Sequence, residues 1–185
     1  MLFIALLHYP VYNKDGKIVT TAIANMDIHD IARIAKTYGI QKYFVVNPVS
    51  AQRELASAIM DHWLKGYGAG FNPSRRAAFE QVEIKATLDE VITELAGQTG
   101  CPPQIVVTGA NFREKLLKYS DLRKMIRNDR LPYLLIFGTG YGIAEEVVNK
   151  SHYCLEPIKG KGDYNHLPVR AAVAIILDRI IREET

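Results

Sequence analysis

Cysteine is scarce in this chain of 185 residues. The two present, Cys101 and Cys154, are too few for a disulfide framework and lack the spacing of metal ligands. Buried free thiols in a reducing cytosol are expected, and no metal site. Long apolar runs are missing too: nothing approaches the ~20 residues that span a bilayer. Leu2–Leu7 is short, with no basic region before it and no cleavage-like site after it, so it reads as a first strand and not a signal peptide. A cytoplasmic protein without membrane association is expected. Charge is nearly balanced, 23 Lys+Arg against 20 Asp+Glu, and the net +3 permits an anionic partner without demanding one. Repeats, low-complexity tracts and linker-like shifts are absent, so residues 1–185 read as a single domain with one sizeable core.

Two nucleotide signatures are missing as well. No G-x-x-x-x-G-K-[ST] phosphate loop occurs, and Gly160-Lys161-Gly162-Asp163 lacks the hydroxyl that would hold magnesium. Gly138, Gly140 and Gly142 are spaced G-x-G-x-G, not G-x-G-x-x-G, and only residues 141–185 follow Gly140. Two mononucleotide-binding halves do not fit in that length.

What is present is an alternation of strand-like and helix-like segments. After strand Leu2–Leu7 comes a polar hairpin or loop around Asn13-Lys14-Asp15-Gly16. Asp27–Tyr38 has helical spacing through Ile28, Ile31, Ala32, Ile34 and Ala35, and Gly39 stops it. Lys42–Asn47 reads as a strand ended by Pro48. Ser50 is placed to cap a helix that turns Leu55, Ala58, Ile59 and Trp63 inward, and Gly66–Ser74 reads as a glycine-rich loop. Val82–Lys85 is a strand, and Thr87 with Glu90 forms a capping box for the next helix. Ile105–Val107, Tyr133–Phe137 and Tyr153–Leu155 complete the strands. The alternation predicts an α/β fold, a parallel sheet with helices on both faces.

The last third carries the functional signal. Leu134–Ile143 and the stretch from Lys159 to Leu167 each place an apolar segment against a glycine-bearing turn. Glycine accepts φ > 0 and lets a ligand approach the main chain, which points to a small-molecule site built from backbone; the alternative is that the glycines only make tight turns. Asp27 to Gly39, running into Lys42–Asn47 and Pro48, resembles the first motif of the SPOUT superfamily of RNA methyltransferases, in particular its tRNA ribose methyltransferase branch. Leu134–Ile143 resembles the second motif. Ile158–Leu177 resembles the third, with Asn165-His166-Leu167-Pro168-Val169 at the family's Asn-centred segment. Phe137-Gly138-Thr139-Gly140 followed by Tyr141-Gly142 is also similar to the bacterial tRNA guanine-N1 methyltransferase branch.

The resemblance implies a C-terminal trefoil knot, S-adenosylmethionine as cofactor, an RNA substrate (tRNA or rRNA) and a homodimer. Carried onto this sequence, it places Thr108 and Gly109 beneath the cofactor and Phe137, Gly138, Thr139 and Gly140 in a middle loop. Ile158, Gly160, Asn165, His166 and Leu167 would close a third. Arg33 and Asp27 are the catalytic candidates. Asp27 stands where the ribose-methylating pattern has asparagine, which points to other chemistry: a carboxylate that positions or deprotonates the acceptor. Its alternative is a helix cap. Arg33 either acts on the acceptor, by catalysis or phosphate binding, or snorkels from an apolar face. His29 and Asp30 read as surface or capping residues, and His8 as the end of the first strand.

Lys65–Arg76 combines Gly66, Gly68 and Gly70 with Tyr67, Phe71 and three cations, which suits RNA loops but also an ordinary solvated loop. Lys115, Lys118, Arg123, Lys124, Arg127 and Arg130 form a second basic stretch with helical spacing. Ala171–Leu177 is apolar nearly all round, which favours burial against both the sheet and a second subunit. The leading expectation is an S-adenosylmethionine-dependent RNA methyltransferase. A non-catalytic RNA-binding or cofactor-sensing protein on the same fold is the second, and an unrelated nucleotide-binding α/β domain the third.

Overall fold

Parallel strands buried on both faces read as continuous apolar runs, and Leu2–Leu7 is such a run, wholly buried. It forms β1 at the middle of a seven-stranded sheet in a computed structural model that describes residues 1–113, 116–162 and 164–182. Lys115 of the basic stretch and Asp163 of the third segment lie outside the described residues. A short antiparallel hairpin follows, β2 (Val11–Tyr12) with β3 (Ile18–Val19), around the expected polar turn. The remaining strands are β4 (Tyr43–Val46), β5 (Val82–Lys85), β6 (Gln104–Val107), β7 (Leu116–Leu117), β8 (Tyr133–Gly138) and β9 (Tyr153–Leu155). Their order is β5-β4-β1-β8-β6-β9-β7, and every pairing in this sheet is parallel. β7 had no counterpart among the expected strands, because two leucines give no period to read.

Alternation along β1 sends Leu2, Ile4 and Leu6 to one face and Phe3, Ala5 and Leu7 to the other. The first face is covered by α1 (Asn25–Thr37), α2 (Ser50–Leu64), α4 (Pro73–Phe79), α6 (Tyr119–Asn128) and α8 (Val169–Ile181), through residues such as Ile28, Ala56, Phe79, Leu122 and Leu177. The second is covered by α5 (Leu88–Thr99) and α7 (Glu145–Asn149), through Val91, Leu95 and Val147. The expected α/β sheet with helices on both faces is therefore what forms.

Several local expectations need correction. Helix α1 starts at Asn25 with Ala24 as N-cap and no side-chain cap, so Asp27 is not a capping residue. Ser50 is the first residue of α2, not its cap; Asn47 Oδ1 instead accepts from Val49 N–H at 3.0 Å and turns the chain into the helix. Ala56, Ile59, Met60 and Trp63 form the inward face of α2, while Leu55 and Ala58 face solvent. Gly66–Ser74 is not a loop: it forms α3 (Tyr67–Phe71) and the start of α4, where the Asn72 side chain accepts from Arg75 N–H and Pro73 sits in the first turn. Gly68 is required by packing, since a Cβ there would lie 2.7 Å from the Trp63 ring. Thr87 Oγ1 caps Glu90 N–H at 3.2 Å, but Glu90 reaches back to Ala86 N–H, one residue further than a capping box.

Candidate active site

Because the strands are all parallel, their C-terminal ends share one edge of the sheet. Register places Leu7 beside Gly138 and Val46, and Val107 beside Ile136 and Cys154. The loops after β8, β6 and β9, three neighbouring strands, therefore leave side by side. These loops and the end of β8, which holds Phe137 and Gly138, carry all of the expected cofactor-site residues. Thr108 is buried, its Oγ1 donating to Ile136 O at 3.0 Å, and Gly109 follows with its Cα against the Phe112 ring, 3.0 Å from where a Cβ would be. Asn165 of the third loop reaches across to Ala110 O at 3.5 Å. The first and third loops thus meet directly.

The middle loop is fixed by the β2 strand. Tyr141 N–H donates to Tyr12 O and Tyr12 N–H to Gly142 O, both at 2.8 Å, and Ala144 N–H donates to Pro10 O at 3.1 Å. Gly140 has φ +62°, and a Cβ would stand 2.7 Å from Tyr12 O. At Gly138 a Cβ would meet Ile143 at 2.5 Å. Both glycines are accounted for by the protein's own packing. Thr139 donates from its N–H to Leu7 O at 3.3 Å, and its Oγ1 lies 2.5 Å from Thr21 Oγ1. Phe137 is buried beneath the loop.

The third loop differs. Ile158 and Asn165 are partly covered, whereas Gly160, His166 and Leu167 are exposed. Among the described residues of 158–167, no main-chain N–H donates to another backbone group. These donors, with glycines that leave the backbone open, suit a ligand whose polar edges are read by main chain, such as an adenine. The residue set therefore fits S-adenosylmethionine.

The catalytic candidates separate. Asp27 is buried, and its Oδ1 accepts from Arg170 Nη1 at 2.7 Å; Arg170 Nε also lies 3.3 Å from Asp30 Oδ2. Hydrogen bonding to Asp27 raises the Arg170 guanidinium further above its usual value. Arg33, one turn along α1, pairs with Asp30 at 3.7 Å with its side chain 59% exposed, so it does not snorkel from the apolar face. His29 is half-buried, its ring packing edge-on against Trp63 and Phe79 with centroids 5.4 and 4.8 Å away. His8 is wholly buried at the end of β1, and burial holds its imidazole down to about 4, against the opposing pull of the Asp27 carboxylate. Sequence reasoning missed Arg170 and Thr21. Arg170 opens the helix after the third loop, but no local signal pairs it with a carboxylate 143 residues away.

The two basic segments differ: the cations of the first have partners within the chain, whereas most of the second face solvent. Arg75 stacks on Trp63 at 4.7 Å, Arg76 pairs with Glu80 at 3.5 Å and Lys65 with Asp61 at 2.8 Å, while Tyr67 and Phe71 stack on each other in solvent. On α6, Lys124 and Arg127 are exposed, as are the flanking Lys118 and Arg130, and Arg123 donates to Arg179 O. A hollow of ≈ 440 Å³ lined by Lys36, Gly39, Gln41 and Gln81 lies at the opposite edge, where β4 and β5 begin, and includes none of the three loops. No group of His, Cys, Asp and Glu among the described residues could hold a metal ion, and no described helix is long and apolar enough to cross a membrane.

A model of the SAM-dependent RNA methyltransferase family matches residues 1–182. The chain belongs to that family. A relative from Aquifex aeolicus, itself uncharacterized, is 47% identical over 179 residues, covering 97% of this chain and 87% of its own length. A protein of Oleidesulfovibrio alaskensis named as a tRNA (guanine-N(1)-)-methyltransferase is 38% identical over 180 residues, which cover 97% of this chain but 42% of that protein. The SpoU methyltransferase AviRb of Streptomyces viridochromogenes, solved in complex with AdoMet, superposes with a TM-score of 0.61 at 16% identity, over 98% of this chain and 57% of that one. That likeness shows the fold alone. Family and fold agree with the SPOUT resemblance read from the three motif segments.

Proposed function

We propose that this chain binds S-adenosylmethionine at the sheet edge bounded by the loops after β6, β8 and β9 and transfers its methyl group to an RNA, tRNA or rRNA. The observation that carries this is the convergence of those loops at one sheet edge, with unused main-chain donors in 158–167. When bound, the cofactor supplies an electrophilic methyl on a sulfonium. Thr108, Gly109, Phe137, Gly138, Thr139 and Gly140 form the fixed wall of the site, and Ile158, Gly160, Asn165, His166 and Leu167 close over it. No metal takes part in this reading. Asp27 works from within its ion pair, holding the start of α8 against α1, and Arg33 offers an exposed guanidinium to an RNA phosphate on the acceptor side. Orientation of the acceptor against the methyl supplies the rate enhancement.

The reading has further parts. Residues 1–185 act as one domain, a reading that the one seven-stranded sheet supports. A C-terminal trefoil knot is part of the reading, and the packing of α8, which follows β9 and the third loop, on α1 supports it. A homodimer through α1 and α8 is supported by the exposed Met26 and Leu167 beside them and by the half-covered Ile175. The cytoplasm is its place of action. The tRNA guanine-N1 activity named for the longer relatives can reside in the part of those proteins that this chain does not span. Base nitrogen and ribose hydroxyl both remain acceptors to test.

Calorimetric titration with S-adenosylmethionine, NAD and ATP tests the donor site: binding of the first alone is expected, and no binding removes the reading. Radiolabelled methyl transfer to total RNA from cells lacking the protein then tests catalysis. Arg33→Lys keeps the charge and loses the planar fork, so transfer falls about 10-fold with donor affinity within a few-fold. A non-catalytic cofactor sensor is the second reading. The pairing of Asp27 with Arg170 favours it, because that carboxylate is not free to act as a base.

A further inference from the structure

His8 is 0% exposed at the end of the central strand, yet its Nε2 has no hydrogen-bond partner. A buried polar atom left unpaired is costly, so a histidine here has a use that a leucine lacks. Its other nitrogen shows what that use is. Nδ1 lies 3.0 Å from Thr21 Oγ1, and Thr21 Oγ1 lies 2.5 Å from Thr139 Oγ1, which bonds Leu7 O at 3.2 Å. Thr21 is itself held in place: its N–H donates to His8 O and its carbonyl accepts from Asn47 Nδ2, both at 3.0 Å. A chain of side-chain hydrogen bonds therefore runs from the imidazole to Thr139. The rest of the middle loop is fixed by main-chain bonds to Pro10 and Tyr12.

We propose that His8 is a positioning residue for the methyl donor: through the Thr21 hydroxyl its Nδ1 sets the Thr139 side chain and so the wall of the donor site. This rests on the donor site proposed above. The chain has few ways to arrange its protons. One hydrogen lies between each pair of neighbours, so the imidazole tautomer decides which way both hydroxyls point. Burial keeps the ring neutral, which leaves Nε2 as the one unsatisfied atom of the chain. The one charged group that acts on the ring is Asp27 from α1, itself tied to Arg170 of α8. The Asp27 carboxylate thus acts on the imidazole through space, while the ring's one side-chain hydrogen bond runs to Thr21.

The test uses the full chain and S-adenosylmethionine. His8→Leu removes both nitrogens, Thr21→Val removes the intervening hydroxyl, and His8→Asn keeps a polar atom close to the place of Nδ1. Donor affinity is measured by calorimetry and stability by urea unfolding. Affinity should fall about 10-fold in His8→Leu and in Thr21→Val, one charge-neutral hydrogen bond's worth, and stay within about 3-fold of wild type in His8→Asn. The double variant His8→Leu/Thr21→Val should bind no more weakly than either single one, because a chain already broken has no second link to lose. General loosening of the fold gives neither the rescue nor the non-additivity. If His8→Leu does not fold, Thr21→Val and His8→Asn decide by the same criteria. Wild-type affinity in Thr21→Val, or equal loss in His8→Asn and Thr21→Val, overturns the role while leaving the donor site standing. A wild-type chain that does not bind the donor overturns both.

Discussion

The middle loop, 138–144, and the third loop, 156–168, flank the same sheet edge but are held in different ways. Each carries glycines, and from sequence the two look alike. In the middle loop the glycines admit the protein's own backbone: Gly140 lies against Tyr12 O and Gly138 against Ile143. In the third loop a Cβ at Gly160 would meet only Tyr164 O, at 3.6 Å, and Gly162 has open space. One loop is a preformed wall. The other keeps main-chain donors without a backbone partner among its described residues 158–167, and an exposed Tyr164; in the proposed function it is the part that closes over the donor. A glycine-rich turn therefore does not identify a binding loop until its neighbours are known.

The strongest way to break this contrast is Gly140→Val. A β-branched side chain at φ +62°, with its Cβ 2.7 Å from a carbonyl, should cost about 4 kcal/mol and detach the loop from β2. Urea unfolding reads the loss, and unchanged stability would mean that the loop is not strapped. This differs from the effect expected of a pure ligand-contact glycine, which would spare the fold.

Next comes acid. Unfolded, His8 takes up its proton near 6.5, whereas folded it does so at about 4. Between those values the unfolded chain holds the extra proton, so stability falls as pH drops from 6.5 to 4, by about 3 kcal/mol in all. Above 6.5 this contribution is fully present. Unfolding midpoints at pH 7, 5.5 and 4 should fall accordingly, and His8→Asn should flatten that part of the profile. The effect tests the middle loop's side of the site, where His8 sits.

Asp27→Asn sharpens the other side. It leaves Arg170 without its closest anion just where the third loop enters α8. Asp27 is buried, but Arg170 is one-third exposed and retains Asp30, so a loss of stability smaller than that of Gly140→Val is expected on urea unfolding. Hydrogen exchange should rise in the first turn of α8 and not in 138–144. Equal exchange in both would show that the two loops are one cooperative unit.

Gly160→Ala should have the smallest effect on folding, under about 0.5 kcal/mol, because its Cβ has room. Donor affinity should nevertheless change more than stability does, and an unchanged affinity would argue that this stretch does not touch the ligand.

How far the sequence could be read follows from how local each signal is. The strands Leu2–Leu7, Val82–Lys85 and Tyr153–Leu155 were legible because apolar runs and their terminators lie within a few residues. The helical nature of Tyr67–Phe79 was not, because its glycines read as breakers, while Trp63 packing and the Asn72 cap outweigh their propensity. Asp27 could be singled out as the departure from the ribose-methylating pattern. Its partner could not, since the pairing depends on where α8 comes to rest.

The sequence by itself determined the alternation of elements, the order of the three motif segments and the absence of any apolar span, since all of these are written in period, spacing and composition. Only the tertiary structure decided that Gly138 and Gly140 serve the chain's own packing, that Asp27 is paired with Arg170, and that His8, Thr21 and Thr139 form one hydrogen-bonded chain. The physical reason is range: propensity and periodicity act over a turn or two of chain. Apart from Gly138 against Ile143, these contacts join residues 13 to 143 positions apart, which meet only once β1 and β8 lie side by side and α8 rests on α1.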